Sequence, residues 1–199
     1  MTPQEFKNIW IDADNPLSPI SPARLARFSL SNSTLVFLTI AGLPGFAGPN
    51  LSFVNDTDDI IYGINKLTEQ YDLFDRKADF EKYIVIGSCR DGDPIAINTD
   101  KDDQVEELDH EDFFSSKFFN ASINSLGAFL ILFRDFERSV LMDKDPNDRS
   151  QLFNFTNIQF ENLKTAMRSV DVRAVTEDGF WKDELEIILS IRKEYFDKT

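Results

Sequence analysis

The sequence predicts an α+β fold: a central, mostly antiparallel sheet, made of a three-stranded meander with short additional strands, wrapped by helices. Three observations carry that prediction. Tyr83–Ser88, Pro94–Asn98 and Gln104–Asp109 are strand-like runs joined by two short turns. Helical periodicity dominates from Ser122 to Leu141 and returns twice before the C-terminus. Hydrophobic residues make up 42% and charged residues 28%, a globular balance. At 199 residues the chain suits one domain spanning 1–199, large enough to form a core without disulfide or metal staples.

Thr2–Pro3–Gln4–Glu5 reads as a helix start, with a hydroxyl N-cap, proline at the first helical position and glutamate in capping-box register. Asp12 to Pro22 holds three prolines and is expected to be an extended connector. A second helix should begin near Ser31 or Ser33 and carry Leu35, Val36, Leu38 and Ile40. Gly42 supplies its left-handed stop, Pro44 prevents continuation, and Gly45 to Asn50 is expected to be loop. Leu51–Val54 and Ile60–Tyr62 are short strand candidates.

Tyr83–Ser88 is apolar and rich in β-branched residues, as a central strand buried on both faces would be. Asp91–Gly92 turns the chain, and Pro94–Asn98 returns with Ile95 and Ile97 on one face. Asp100–Asp103 turns it again before Gln104–Asp109, and Phe113–Phe119 is expected to add a strand or an irregular edge. From Ser122 to Leu141, Ile123, Leu126, Leu130 and Phe133 form one apolar stripe and Phe129, Leu132 and Phe136 a second, so this helix should lie across the sheet under further cover. Asp143–Ser150 reads as a polar loop. Helices near Asn157–Ser169 and Phe180–Phe196 follow, the last burying Trp181, Leu185, Ile188 and Leu189. Nineteen Phe against 4 Tyr and 2 Trp predict a Phe-rich core.

Composition restricts function. Twenty-one Lys and Arg against 35 Asp and Glu give a net charge of -14, which repels phosphate backbones and anionic lipid and attracts basic protein surfaces. Nucleic acid and membrane are therefore not expected as direct partners. The N-terminus shows no basic stretch followed by an apolar run. The longest apolar stretch, Leu126–Phe133, is far short of the ~20 residues of a membrane helix. The expected location is the cytoplasm.

No cofactor or metal is expected. Cys89 and His110 are the only residues of their types; they could pair as nucleophile and base, but a buried thiol and a hydrogen-bonded or surface imidazole is the plainer reading. Asp143, Asp145 and Asn147 have the spacing of a calcium loop, but Asp148 stands where glycine is needed and Asn154 where a bidentate glutamate belongs.

The strongest local signal is electrostatic. Asp100, Asp102, Asp103, Glu106, Glu107, Asp109, Glu111 and Asp112 face only Lys101 between positions 100 and 112, and Asp91 and Asp93 in the neighbouring turn extend the run. Glu106 and Glu107 should point to opposite faces of their strand. The expectation is one acidic rim along the meander, formed by Asp91, Asp93, Asp100, Asp102, Asp103, Glu106, Glu107 and Asp109 and docking a basic partner. The alternative is a hairpin edge kept from aggregating by charge. These carboxylates lie mainly in turns, where water should screen them, so reversing Asp102, Asp103 and Glu106 to Lys should slow partner association, flatten its salt dependence and leave folding intact, with an equal reversal at Glu184, Glu186 and Glu194 on the last helix as the control.

These residues also carry a family resemblance. Ile86–Gly87–Ser88, running on to Gly92–Asp93–Pro94–Ile95–Ala96–Ile97, resembles the central signature of the SUKH superfamily of bacterial immunity proteins. Val105, Leu108, Asp109 and His110 resemble its next strand, and Phe119–Asn120–Ala121–Ser122–Ile123 its lead into a long helix. Phe37–Leu38 with Ala41–Gly42–Leu43–Pro44, and later Phe180–Trp181, are similar to one branch. Leu43–Pro44 follows the early helix, whereas many members place that pair before it, which leaves the branch open. The resemblance implies a sheet wrapped by helices, no enzymatic activity, and neutralisation of a toxin domain, often a nuclease, by direct binding. Partners differ across the superfamily, so no binding residue is carried over. Three functions follow: an immunity protein, a non-enzymatic interaction scaffold of the same fold, and a thiol hydrolase using Cys89.

Overall fold

The computed structural model describes residues 1–73, 76–142, 144 and 149–197. Helix α1 (Pro3–Ile9) starts as its sequence dictates: Glu5 N donates to Thr2 Oγ1 at 3.2 Å, and Thr2 N donates to Glu5 Oε2 at 2.7 Å. The connector that follows is more structured than its prolines suggest. Leu17–Ser18 forms β1, Pro22 opens a short helix α2 (Pro22–Leu25), and α3 (Asn32–Ile40) is capped by Ser31. Gly42 has φ 67°, and a Cβ there would meet Ser18 O at 2.0 Å, so glycine is needed twice over. Leu43–Pro44 is β2, paired with β1.

Two expectations fail in the next segment. Gly45–Asn50 is not all loop: Phe46–Ala47 is β3, paired with β4 (Leu51–Phe53) and pinned by the buried Asn15, whose Nδ2 donates to Phe46 O at 2.6 Å. Ile60–Tyr62 is a turn rather than a strand. Asp59 Oδ1 accepts the Ile61 and Tyr62 amides at 2.8 and 2.9 Å, and Asn65 Nδ2 donates to the carbonyls of Asp59, Ile60 and Gly63. Side chain-to-backbone bonds of this kind overrode the β propensity of isoleucine and tyrosine. The strand at this edge is β5 (Asn65–Lys66).

The meander matches its prediction. β6 (Tyr83–Ser88), β7 (Pro94–Asn98) and β8 (Gln104–Asp109) are antiparallel, with Ile84 opposite Ile97 and Ile97 opposite Val105. β9 (Ser115–Asn120) continues the sheet, whose order is β3-β4-β6-β7-β8-β9, with β5 also paired to β6. Beyond β9, Phe118 bridges to Gly179, where a Cβ would strike Phe118 O at 2.2 Å.

Strand alternation sends Ile84, Ile86, Ile95 and Ile97 into the main core, and Val85, Ala96 and Leu108 into a smaller one. The small core is closed by α4 (Leu67–Gln70) and α5 (Lys77–Phe80). The main core is covered by α6 (Ile123–Leu141), whose Phe129, Phe133 and Phe136 are buried, with α1, α3 and α7 (Asn157–Val170) around it. Helix α8 (Phe180–Asp197) closes that side. Trp181 is fully buried, packs against Phe119, Phe129, Phe133 and Phe180, and donates Nε1–H to Asn120 Oδ1 at 3.0 Å. This is the predicted Phe-rich core. Leu189, expected in it, is exposed, because it sits beside the stripe of Trp181, Leu185 and Ile188. Asp143, Asp145, Asn147 and Asp148 lie outside the described residues. Among the described residues no helix is long and apolar enough to cross a membrane.

Candidate functional site

Antiparallel register decides where the acidic residues go. The turn before β7 adjoins the end of β8, and the end of β7 adjoins the turn before β8. The expected single rim is therefore split into two poles, separated by the five residues of β7, about 17 Å of strand.

At the Lys101 pole two of the four carboxylates, Asp103 and Glu106, are structural. Asp103 is buried, and its Oδ2 accepts the Ser31 amide at 2.7 Å, tying the meander to the start of α3. Glu106 is 1% exposed and accepts from Lys101 Nζ at 2.7 Å, Gln104 Nε2 at 2.6 Å and Asn98 Nδ2 at 3.0 Å. Burial alone would raise its pKa, but these donors outweigh burial and lower it. Asp100 and Asp102 remain exposed. Glu106 and Glu107 do point to opposite faces, but both are buried, Glu106 among Asn98, Lys101 and Gln104, and Glu107 against Cys89 on the side of the sheet that α8 approaches. The expectation that water screens these residues is corrected.

The other pole is a cleft of about 500 Å3 between the meander and the first turns of α8. Asp91, Asp93, Glu107, Asp109 and Glu111 line it from the sheet, and Asp183 and Glu184 from the helix. Those seven carboxylates face two permanent cations, Arg90 and Lys117, and the imidazole of His110. Arg90 Nη2 reaches Glu184 at 3.2 Å, while burial pushes the Glu184 carboxyl above its ordinary pKa. Helix α8 brings in Asp183 and Glu184, which sequence reasoning had not grouped with the meander; Glu184 had even served in the control. The one sequence signal was their position immediately after the core-anchoring Phe180–Trp181.

On the cleft floor, Cys89 Sγ donates to Glu107 Oε1 at 3.2 Å, and His110 Nδ1 lies 2.6 Å from Asp93 Oδ1, which also accepts the His110 amide at 2.8 Å. Donor atoms of Cys89, Asp93 and Glu107 lie within 4.8 Å of one another, a grouping the sequence reading did not find. Burial, reinforced by Glu107, pushes the Cys89 thiol up to about 12, and burial also raises Glu107. A thiol some five units above neutral pH is protonated, and its hydrogen is turned towards a carboxylate. His110 is bound to Asp93, so thiol and imidazole are engaged by different carboxylates. Burial and Glu107 thus disfavour the thiolate form of Cys89, while the anionic walls suit a cationic guest.

At the lip of the cleft, Asp109 builds the turn between β8 and β9. Its Oδ1 accepts the Glu111 and Asp112 amides at 3.0 Å each, and its carbonyl accepts the Phe114 amide at 2.8 Å. Phe113 and Phe114 both have positive φ, 51° and 58°. Phe114 packs edge-on against Tyr71 at 4.8 Å and Phe80 at 5.9 Å, whereas Phe113 is 77% exposed.

The family model for the SUKH-4 immunity protein matches residues 16–187, which contain every motif on which the resemblance was drawn. No curated protein and no solved structure matches the chain. A match over most of the length, on an α+β fold with the expected meander, settles the branch: the chain belongs to the SUKH-4 immunity protein family.

Proposed function

We propose that this immunity protein neutralises its cognate toxin by direct binding, and that a cationic face of the toxin seats on the anionic cleft between α8 and the end of the meander that carries the β6–β7 and β8–β9 turns. The observation that carries this reading is the charge imbalance of the cleft, seven carboxylates against Arg90 and Lys117. A nuclease exposes a cationic groove for its phosphate substrate, so an anionic surface both speeds encounter with it and occupies the same groove. The same charge keeps nucleic acid and anionic membrane from competing, and it fits action in the cytoplasm.

The test is co-expression with the toxin-like product encoded beside the gene, scoring survival, together with association kinetics on an inactivated form of that product. Reversing the exposed Asp91, Glu111 and Asp183 to Lys should slow association about tenfold or more at low salt, flatten its salt dependence and reduce protection. An equal reversal of the exposed Asp14, Asp100 and Asp102 should do less. Equal effects from both sets would reduce the cleft to a share of net charge. No binding by the parent protein would remove the direct-binding reading.

A further inference from the structure

The turn at Asp109–Ser115 holds an aromatic side chain in a conformation that only the backbone around it explains. Left-handed φ values are rare for bulky residues, because Cβ crowds the following carbonyl; glycine adopts them freely. Here two phenylalanines in succession adopt them. For Phe114 the fold accounts for the side chain, since its ring fills the small core against Tyr71 and Phe80. For Phe113 it does not. The ring is 77% exposed, and no aromatic or cation contact reaches it among the described residues. Strain is being sustained to hold out a side chain that contributes nothing to the interior.

The turn is also rigid where it matters. Asp109 fixes the amides of Glu111, Asp112 and Phe114, and Ser115 N donates to Asp112 O at 2.9 Å. An exposed aromatic ring on a pre-organised turn loses little entropy on binding, which is the character of an interface hot spot. The ring lines a shallow hollow next to the cleft in which Arg76 and Lys82 balance Asp79 and Asp112, so the acidic bias comes from the cleft side of the turn. Glu111 and Asp112 directly precede Phe113, both exposed and in no ion pair among the described residues, and Glu111 is itself part of the cleft wall.

We infer that Phe113 is the apolar anchor of the toxin interface, seating in an apolar pocket that the toxin rims with Lys or Arg side chains. This rests on the cleft being the toxin's docking face, and it extends that face from charge to a specific ring.

The decisive variant is Phe113→Gly, since glycine removes the ring and relieves the backbone together. Its melting temperature should equal or exceed that of the parent, while affinity for the inactivated toxin-like product of the neighbouring gene falls about thirtyfold or more. Phe113→Leu should recover part of that loss. Phe114→Ala is the contrasting control and should lower the melting temperature through the small core. Parent-like affinity in Phe113→Gly, with weakened association in the Glu111→Lys, Asp112→Lys pair, would overturn the anchor and leave the electrostatic reading standing. A lowered melting temperature in Phe113→Gly would overturn the premise that the ring is idle in the fold. Failure of the parent protein to bind would overturn both.

Discussion

The thiol of Cys89 donates its hydrogen bond to Glu107 across 3.2 Å, joining the chain's single cysteine to a buried carboxylate on the floor of the anionic cleft. Burial disfavours ionisation of both groups; Glu107 adds to that effect on the thiol, whereas the thiol's hydrogen bond partly offsets it on the carboxylate. The expected consequence is an unreactive cysteine. In the folded protein at pH 8, iodoacetamide should label Cys89 more slowly than a free thiol by about a thousandfold or more, with full labelling after denaturation, read by mass spectrometry. Cys89→Ser and His110→Ala should both retain toxin protection; its loss in a variant with an unchanged melting transition would bring catalysis back into consideration.

Glu107 sets a second expectation. Its folded pKa lies above the ordinary 4.5, so its effect on stability is most favourable while it is protonated and is lost as pH rises through the raised value. Glu107→Gln should therefore be more stable than the parent at pH 7 to 8, with the difference shrinking as pH falls towards 4.5. Urea unfolding midpoints across that range measure it. A difference that grows on acidification would mean that the carboxylate is held ionised by a partner.

His110 provides a clean spectroscopic probe, because no other histidine titrates. Its hydrogen bond to Asp93 raises its pKa above 6.5, reinforced by the charges of Asp93, Glu111 and Asp109. An NMR titration should show a midpoint above 6.5 that returns towards 6.5 in Asp93→Asn. Any stability from this pair is complete below 6.5 and fades as pH rises through the raised value.

The Lys101 pole should behave as framework. Asp103→Ala removes the buried carboxylate that accepts the Ser31 amide and should cost about 2 kcal/mol. Glu106→Lys sets a second cation beside Lys101 in a buried site and should cost about 3–5 kcal/mol. Both are read as shifts in denaturation midpoint. The triple reversal of Asp102, Asp103 and Glu106, harmless on an exposed rim, should instead impair folding.

Local signals were legible where local chemistry decides the outcome. Alternation and the Asp91–Gly92 turn, with Gly92 at φ 85°, located the meander, and Thr2 and Glu5 located the first helix. Burial of Glu107 was not legible, because α8 comes from a distant part of the chain, and burial of Glu106 was not, because Asn98, Lys101 and Gln104 close over it only once the strands have paired. Ile60–Tyr62 misled for a related reason: its strand-forming side chains were overruled by Asp59 and Asn65, whose bonds to the backbone leave no mark in hydrophobic periodicity. The cleft required α8 to arrive beside the meander, and nothing in the acidic run itself pointed to Asp183 or Glu184.

The bridge between Phe118 and Gly179 also bears on how copies of the chain meet. β9 ends the sheet, and a terminal strand is a template on which a second chain can lay its own. The Gly179 segment already occupies the Phe118 half of that edge, at a distance no side chain at position 179 would permit. What stays open is Ser115–Lys117, three exposed residues ending in a lysine. Such a stub offers too few rungs for copies to zip together. A single hydrogen atom for a side chain at position 179 thus works against fibril growth from this edge.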